Sequence, residues 1–284
     1  MTRTAARLAC LVLALLPVGG CLALEESQVF HPARFPVGDW QLADLPHEDA
    51  DFHAEDGTQL HGWFVSPPRP REVILYCHGN AGNVTGCDWA LALFSERLNC
   101  AILAFDYRGY GKSAGQPSEA GILQDARAAR RWLAQRTGVA ESDIVVVGRS
   151  LGGAVAVDLA AKDGARALVL ENTFSSVRDV AEAKLAPLPV GRLMEMKLDS
   201  LSLIRSYRGP LLQTHGDADR LVPIEQGQRL FAAAPSVLKH FVLAPGKGHN
   251  DLATPDYIEV LDRFLAYLPW IPAPRDEPPA VLPR

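Results

Sequence analysis

The segment with the clearest chemical potential is Gly148-Arg149-Ser150-Leu151-Gly152-Gly153. It follows an apolar run, 144–147, and precedes a helical pattern, so the sequence predicts a strand, a tight turn and a helix. Glycines two residues before and after a serine allow a strained turn that lifts the serine oxygen above a sheet. An incidental serine in a Gly-rich turn is the alternative, and the strand-to-helix context favours a nucleophile at Ser150.

A serine hydroxyl is a weak nucleophile and needs a base together with a group that orients the base. Two later segments supply such groups, 215–223 with Asp217 and Asp219, and 246–251 with His249. Each segment follows an apolar run that predicts a strand, and the order is serine, acid, histidine. Because loops at the carboxyl ends of parallel strands share one rim of a sheet, we expect these side chains to meet there. The residues alone leave Asp217 and Asp219 both open as the acid.

The elements that must position these residues alternate along the chain. A hairpin is predicted over 49–65, with its turn at Asp56-Gly57. Nearly continuous apolar runs then predict strands covered on both faces, at Val73–Cys77, Ala101–Asp106, Ile144–Val147, Ala167–Leu170, Leu211–His215 and His240–Leu243. Helical patterns lie between them, at Asp88–Leu98, Glu119–Gln135, Leu151–Ala161, Ile224–Ala233 and Pro255–Leu268. This alternation predicts an α/β fold with a doubly wound, mostly parallel sheet.

The segment 175–207 interrupts the alternation after the sixth strand, and we interpret it as a small cap. Its apolar side chains are more typical of packing than of an acyl pocket; they are Leu185, Leu188, Leu193, Met194 and Met196. The whole domain is expected over 46–268. A Pro-rich tail, 269–284, is predicted to be disordered.

The chain resembles the α/β-hydrolase superfamily, and within it a group of membrane-attached serine hydrolases whose eukaryotic relatives include protein depalmitoylases. The matching segments span about residues 50–268 and occur in order, at His78–Asn83, Asp106–Ser113, Gly148–Gly153, Leu170–Phe174, His215–Pro223 and Gly248–Asp251. The resemblance implies that Asp219 is the acid and His249 the base. Asp217 is then free to bond backbone amides in its own loop.

The same resemblance implies an oxyanion hole made by backbone N–H groups, one from Leu151 and one from Asn80 in the loop 78–83. Arg108 is expected to form an internal ion pair. His78 and His215 are expected to make structural hydrogen bonds, and the remaining five histidines other than His249 to be ordinary. No disulfide is favoured among the three cysteines beyond residue 21, which are Cys77, Cys87 and Cys100.

The N-terminus has the pattern of an export signal, 1–20, with Arg3 and Arg7 before an apolar stretch, 8–18. That stretch is too short to span a bilayer, which needs about twenty residues. The sequence Val18-Gly19-Gly20-Cys21 resembles a bacterial lipobox, which implies acylation of Cys21 and a place in the cell envelope, facing the periplasm or the exterior. Secretion without an anchor is the alternative. Residues 21–45 are interpreted as a tether and a segment that leads into the domain.

Composition limits the remaining possibilities. The 284 residues suit one large domain, and the net charge of −5 without a basic run argues against nucleic acid as a partner. No spacing of His and Cys resembles a zinc site, and the chemistry needs no cofactor. The sequence predicts hydrolysis of a small-molecule or lipid acyl ester or thioester through an acyl-enzyme. A serine peptidase, a perhydrolase, and a lipoprotein that only binds lipid or a partner are the alternatives.

Overall fold

The computed structural model describes residues 18–42, 45–185, 191, 193–251 and 253–268, with the backbone alone for 18–21, 23 and 24. The predicted signal peptide therefore lies outside the described residues except for 18–20, and the predicted tail, 269–284, lies outside them entirely. The side chain of Cys21 and all of Leu188 are also outside them. Among the described helices, none combines the length and apolar character that a membrane span requires.

Eight strands form one sheet. The strands are β1 Glu48–His53, β2 Gln59–Val65, β3 Val73–Cys77, β4 Ala101–Asp106, β5 Val145–Arg149, β6 Ala167–Glu171, β7 Leu211–Gly216 and β8 Lys239–Ala244. Their order across the sheet is β1-β2-β4-β3-β5-β6-β7-β8. The hairpin of β1 and β2 pairs antiparallel, β2 pairs antiparallel with β4, and the remaining neighbours are parallel. The predicted doubly wound, mostly parallel sheet is confirmed.

The described α-helices comprise the five that the sequence predicts, each within two residues of its expected ends, and three others; short 3-10 helices lie at Val84–Cys87 and Glu141–Asp143. The predicted ones are α2 Asp88–Ala92, which continues as a π-helix over Leu93–Arg97, α3 Glu119–Thr137, α4 Leu151–Asp163, α7 Ile224–Ala233 and α8 Pro255–Ala266. The others are α1 Val18–Val29, α5 Val177–Leu185 and α6 Ser200–Ile204.

The core lies on both faces of the sheet, because successive side chains of a strand point to opposite faces. In β3, Leu75 and Cys77 belong to one apolar cluster, with side chains of α3, α4 and α7, whereas Ile74 and Tyr76 belong to the other, with side chains of α2 and α8. Coverage on both faces was expected for all six apolar strands, and for β8 that expectation is wrong. Within β8 only Ala244 is buried, because this strand forms one edge of the sheet.

Two segments outside the regular alternation pack on the domain. Between β6 and β7, α5 and α6 occupy the predicted cap region, and α6 packs against α4 and α7. At the other end of the chain, α1 lies within the segment predicted as a tether. Its Leu22 and Val29 pack against the core, and Phe30 is buried directly after it. The segment 22–30, which precedes the predicted domain, therefore packs on the folded body.

The three cysteines that the structure describes with their side chains are free and buried. Burial raises the pKa of the Cys77 thiol to about 12 and that of Cys100 to about 11, and it raises the pKa of Cys87 as well. A thiol that stays protonated is a poor nucleophile. These side chains therefore act as small apolar residues of the core.

Candidate active site

Ser150 occupies a strained turn between β5 and α4. Its backbone has φ +54° and ψ −117°, in the region that non-glycine residues seldom adopt. The turn is close enough to β3 that a Cβ at Gly152 would overlap the carbonyl oxygen of Cys77. The Ser150 N–H donates to the carbonyl of Glu171 at 2.9 Å, and the Thr173 hydroxyl donates to the carbonyl of Ser150 at 2.8 Å. These contacts hold the predicted elbow in place.

The three side chains predicted to act together lie in contact. The distance from Ser150 Oγ to His249 Nε2 is 3.0 Å, and that from His249 Nδ1 to Asp219 Oδ2 is 2.6 Å. The Asp219 side chain is buried, and that of His249 is 13% exposed. The structure thus brings residues from three separate loops into one hydrogen-bonded chain.

Asp219 is oriented by its own loop. Its Oδ1 accepts hydrogen bonds from the N–H groups of Leu221 and Val222 at 2.8 and 2.9 Å. Burial raises the pKa of this carboxyl, but hydrogen bonds from His249 and Val222 lower it more, so its net pKa lies below the ordinary value. The competing Asp217 points elsewhere and accepts a hydrogen bond from the N–H of Gly246 at 2.6 Å. Of the two acids that the sequence left open, Asp219 contacts the histidine.

Asn172 connects the loops that carry the acid and the base. Its Nδ2 donates to the carbonyl of His249 at 2.8 Å and to that of Gly248 at 3.3 Å, while its Oδ1 accepts from the N–H of Gly216 at 2.9 Å. The residue is fully buried and has φ +45°. In the sequence, Asn172 belongs to the matching segment Leu170–Phe174 without a role of its own; its position directly after a strand was the indication that could have found it.

Arg149 is a second residue that sequence reasoning missed. Its Nη2 donates to the carbonyl of His249 at 3.2 Å and to Asn250 Oδ1 at 3.0 Å. The guanidinium lies 5.4 Å from the centre of the Trp89 ring. Its place beside Ser150 in the elbow was the indication that could have found it. The side chains of Arg149 and Asn172 therefore donate to the same carbonyl, that of His249.

Asn80 and Leu151, the residues predicted to form the oxyanion hole, line one cavity together with Ser150. Leu151 opens helix α4, and the first N–H groups of a helix have no intrahelical acceptor. The N–H of Asn80 makes no hydrogen bond within the described part of the chain, although its carbonyl accepts from His31 N and Tyr110 Oη. Both N–H groups are thus available to a ligand.

Two cavities meet at Ser150. The first has a volume of about 500 Å³ and a mostly apolar lining, which includes Phe174, Val177, Val180, Leu185, Met194 and Val222. The second has a volume of about 430 Å³ and is more polar, with the 78–83 loop, Thr85, Arg149, His249 and Asn250 in its wall. The arrangement can hold an apolar group on one side of the serine and a polar group on the other.

The apolar residues of the predicted cap differ in their surroundings. Leu185 and Met194 line the first cavity, whereas Met196 is fully buried in the core and Leu193 is 80% exposed. Met196 therefore packs as expected, and Met194 packs against the core as well as lining the cavity. Leu185, at the end of α5, lines the cavity with its side chain half exposed.

Other predicted roles are structural. Arg108 forms the expected internal ion pairs, with Asp125 and Asp56 at 2.8 Å each. His78 Nδ1 lies 2.7 Å from the carbonyl of Gly79, and His215 Nε2 lies 2.9 Å from that of Val222. Both histidines make the expected hydrogen bonds, and burial lowers the pKa of each.

His61, which the sequence left as ordinary, is buried between two carboxylates. Its Nε2 lies 2.5 Å from Asp49 Oδ1, and its Nδ1 lies 3.7 Å from Asp106 Oδ2. No sequence pattern indicated this contact, because the partners lie on different strands. Across the residues described with side chains, no three His, Cys, Asp or Glu converge as a metal site would require.

Comparison with known proteins agrees with the fold. The sequence model of the alpha/beta hydrolase family matches residues 74–282. Protein Rv2307c of Mycobacterium tuberculosis is 35% identical over 262 residues, covering 90% of this chain and 92% of that protein. Protein bem46 of Schizosaccharomyces pombe is 33% identical, and the match covers 91% of each chain.

Solved structures share the fold at lower identity. The esterase Pf2001 of Pyrococcus furiosus superposes with a TM-score of 0.67 over 85% of this chain and 98% of its own, at 22% identity. An acetyl xylan esterase from Paenibacillus sp. R4 superposes with a TM-score of 0.65 over 82% of this chain and 87% of its own, at 20% identity. At these identities the likeness concerns the fold.

Proposed function

Because this chain belongs to the alpha/beta hydrolase family, we propose that it is a serine hydrolase that cleaves carboxylic ester or thioester bonds through an acyl-enzyme on Ser150. The observation that carries the proposal is the hydrogen-bonded chain from Ser150 through His249 to Asp219, with distances of 3.0 and 2.6 Å. A serine next to a base that is itself oriented by a third group is the arrangement of nucleophilic catalysis.

The proposed reaction begins when His249 Nε2 accepts the proton of the Ser150 hydroxyl and the oxygen attacks the substrate carbonyl. The negative charge that develops on the carbonyl oxygen is stabilised by the N–H groups of Leu151 and Asn80. Asp219 holds the imidazole with Nε2 towards the serine and stabilises the imidazolium. The protonated His249 then gives its proton to the leaving group, and water attacks the acyl-enzyme by the same route.

The two cavities suit the two halves of such a substrate. The apolar cavity offers aliphatic and aromatic side chains to an acyl chain, whose burial is favourable by about 0.8 kcal/mol for each methylene. The more polar cavity offers His249, Asn250 and the 78–83 loop to the leaving alcohol or thiol. We therefore assign the acyl group to the first cavity and the leaving group to the second.

The experiment is covalent labelling by a fluorophosphonate, together with turnover of p-nitrophenyl esters of increasing acyl length. We expect wild type to be labelled and to hydrolyse esters. Ser150→Ala should lose the label and lower kcat by about six orders of magnitude, because the nucleophile is absent. Ser206→Ala, at an exposed serine away from the site, is the matched control and should retain both fluorophosphonate labelling and ester turnover. Folded wild type that is neither labelled nor active would overturn the proposal.

We further propose that the mature chain is attached to a membrane of the cell envelope through a lipid on Cys21. The charged start, the apolar stretch 8–18 and the small residues before Cys21 support this proposal. The catalytic domain would then act on acyl esters at or near the lipid surface, facing the periplasm or the exterior.

A further inference from the structure

Helix α1 ends beside the candidate nucleophile. Glu25, Gln28 and Val29 line the apolar cavity together with Ser150. Residues three and four positions apart share one face of a helix, so these three side chains form a single surface. Val29 is partly buried and packs against the core. A segment that precedes the hydrolase domain in sequence therefore provides one wall of the cavity that receives the proposed acyl chain.

This wall is fixed to the cap. The Glu25 carboxylate accepts hydrogen bonds from the N–H of Met196 at 2.8 Å and from that of Glu195 at 3.0 and 3.1 Å. Those residues directly follow Met194, which lines the same cavity. The Glu119 carboxylate holds the next two N–H groups of this segment at 2.9 Å, and its own N–H donates to Glu26. Helix α1 and the cap thus form one continuous lining.

The wall is also fixed to the candidate oxyanion loop. Asn80 Nδ2 donates to the carbonyl of Val29 at 2.8 Å, and the N–H of His31 donates to the carbonyl of Asn80 at 3.0 Å. His31–Pro32 then pairs in parallel with Ala81–Gly82. Because hydrogen bonds hold both Val29 and His31 against Asn80, the position of Val29 is fixed relative to Ser150.

We propose that the segment Glu25–Val29 is the element that selects the acyl chain, with the Val29 side chain setting how much alkyl chain the cavity accepts. The effect of this selection on ester turnover rests on the proposed function, whereas the binding of an alkyl chain does not depend on hydrolysis. The ligand class is a carboxylic acid or acyl group with an unbranched alkyl chain, since the lining is mostly apolar and, among the described residues that form it, the ionic side chains are Glu25 and Lys184.

The test measures binding of saturated fatty acids of increasing length to the full chain in a Ser150→Ala background, so that catalysis plays no part. We expect Val29→Phe to fill part of the cavity and weaken binding of the longest acids by about fourfold for each methylene displaced. Val29→Ala should enlarge the cavity and shift the preference towards longer acids. Val237→Phe is the matched control, because Val237 is fully exposed and outside the cavity, and its length preference should match that of the Ser150→Ala background.

Opposite shifts of the length preference in the two Val29 variants would support the inference, and an unchanged preference in both would overturn it. If Val29→Phe does not fold, Val29→Ala decides alone, since it only removes two methyl groups. The same variants with Ser150 restored are then assayed for ester turnover. Protein that binds acids with a Val29-dependent preference but hydrolyses no ester would overturn the proposed function and retain this inference. Protein that hydrolyses esters with a length preference that neither Val29 variant changes would overturn this inference and retain the proposed function.

Discussion

The amide of Asn172 positions the candidate base without contact to the nucleophile. It donates to the His249 carbonyl and accepts from Gly216, in the strand end that leads to Asp219. Its φ of +45° is a conformation that Asn and Asp tolerate better than most residues. A single buried side chain therefore sets the spacing between two loops whose residues must stay within hydrogen-bond distance.

We expect Asn172→Asp to lower kcat by about 10- to 100-fold with a smaller change in KM. Aspartate keeps the shape and the positive φ, but a carboxylate cannot donate to the carbonyls of Gly248 and His249, so the base shifts away from Ser150. Steady-state kinetics on a p-nitrophenyl ester measures the effect. Asn99→Asp is the matched control, because Asn99 also has positive φ and donates to a carbonyl far from the site. Full activity of Asn172→Asp would contradict the positioning role.

At the scale of elements, the antiparallel edge of the sheet contains a buried histidine between two carboxylates, one of them exposed. His61 on β2 lies between Asp49 on β1 and Asp106 at the end of β4. Burial lowers the pKa of His61, but the carboxylates of Asp106 and Asp49 raise it more, so its net pKa lies above the ordinary value. The imidazole thus lies between carboxylates of the two strands that flank β2, and protonation strengthens its attraction to both.

A histidine whose pKa is higher in the folded state stabilises that state when protonated. This contribution is fully present below the unfolded pKa of about 6.5 and is lost as the pH rises through the higher folded value. We therefore expect the difference in free energy of unfolding between wild type and His61→Gln to shrink as the pH rises above about 6.5. Urea denaturation at several pH values measures it. His240→Gln, at an exposed position, should have little effect at any pH. A difference in free energy of unfolding between wild type and His61→Gln that stays constant with pH would contradict a raised pKa for His61.

At the scale of the whole molecule, the proposed membrane anchor and the acyl cavity lie close together. Cys21 and Glu25 belong to the same helix, four residues apart, which is about 6 Å along its axis. Leu185 and Leu221 line the cavity and are 52% and 41% exposed. A lipid at Cys21 would therefore hold the cavity near the membrane surface, where acyl esters are concentrated.

We expect Cys21→Ser to release the protein from the membrane fraction and to abolish incorporation of a labelled fatty acid, because serine has no thiol to accept the lipid. Fractionation of cells that express each form measures the first effect, and in-gel detection measures the second. Cys87→Ala is the control, since that thiol is buried in the domain, and it should remain membrane-bound and labelled. A Cys21→Ser protein that stays fully in the membrane fraction would disprove the anchor.

The sequence by itself determined the regular elements and the order of the chemical groups along the chain. Strand, elbow and helix around Ser150 are encoded by adjacent residues, because apolar periodicity and glycine spacing act over a few positions. The same local patterns gave the sheet, the hairpin and the place of His249 at the end of β8.

Only the tertiary structure decided between Asp217 and Asp219 on geometric grounds, and only it joined Asn172 to His249 and Val29 to Asn80. These contacts link residues 30, 77 and 51 positions apart. They depend on how loops from different strands converge at one rim, and no local pattern records that convergence. For the same reason α1, whose sequence suggested a tether, forms a wall of the site: its partners are the cap and the 78–83 loop, both remote in sequence.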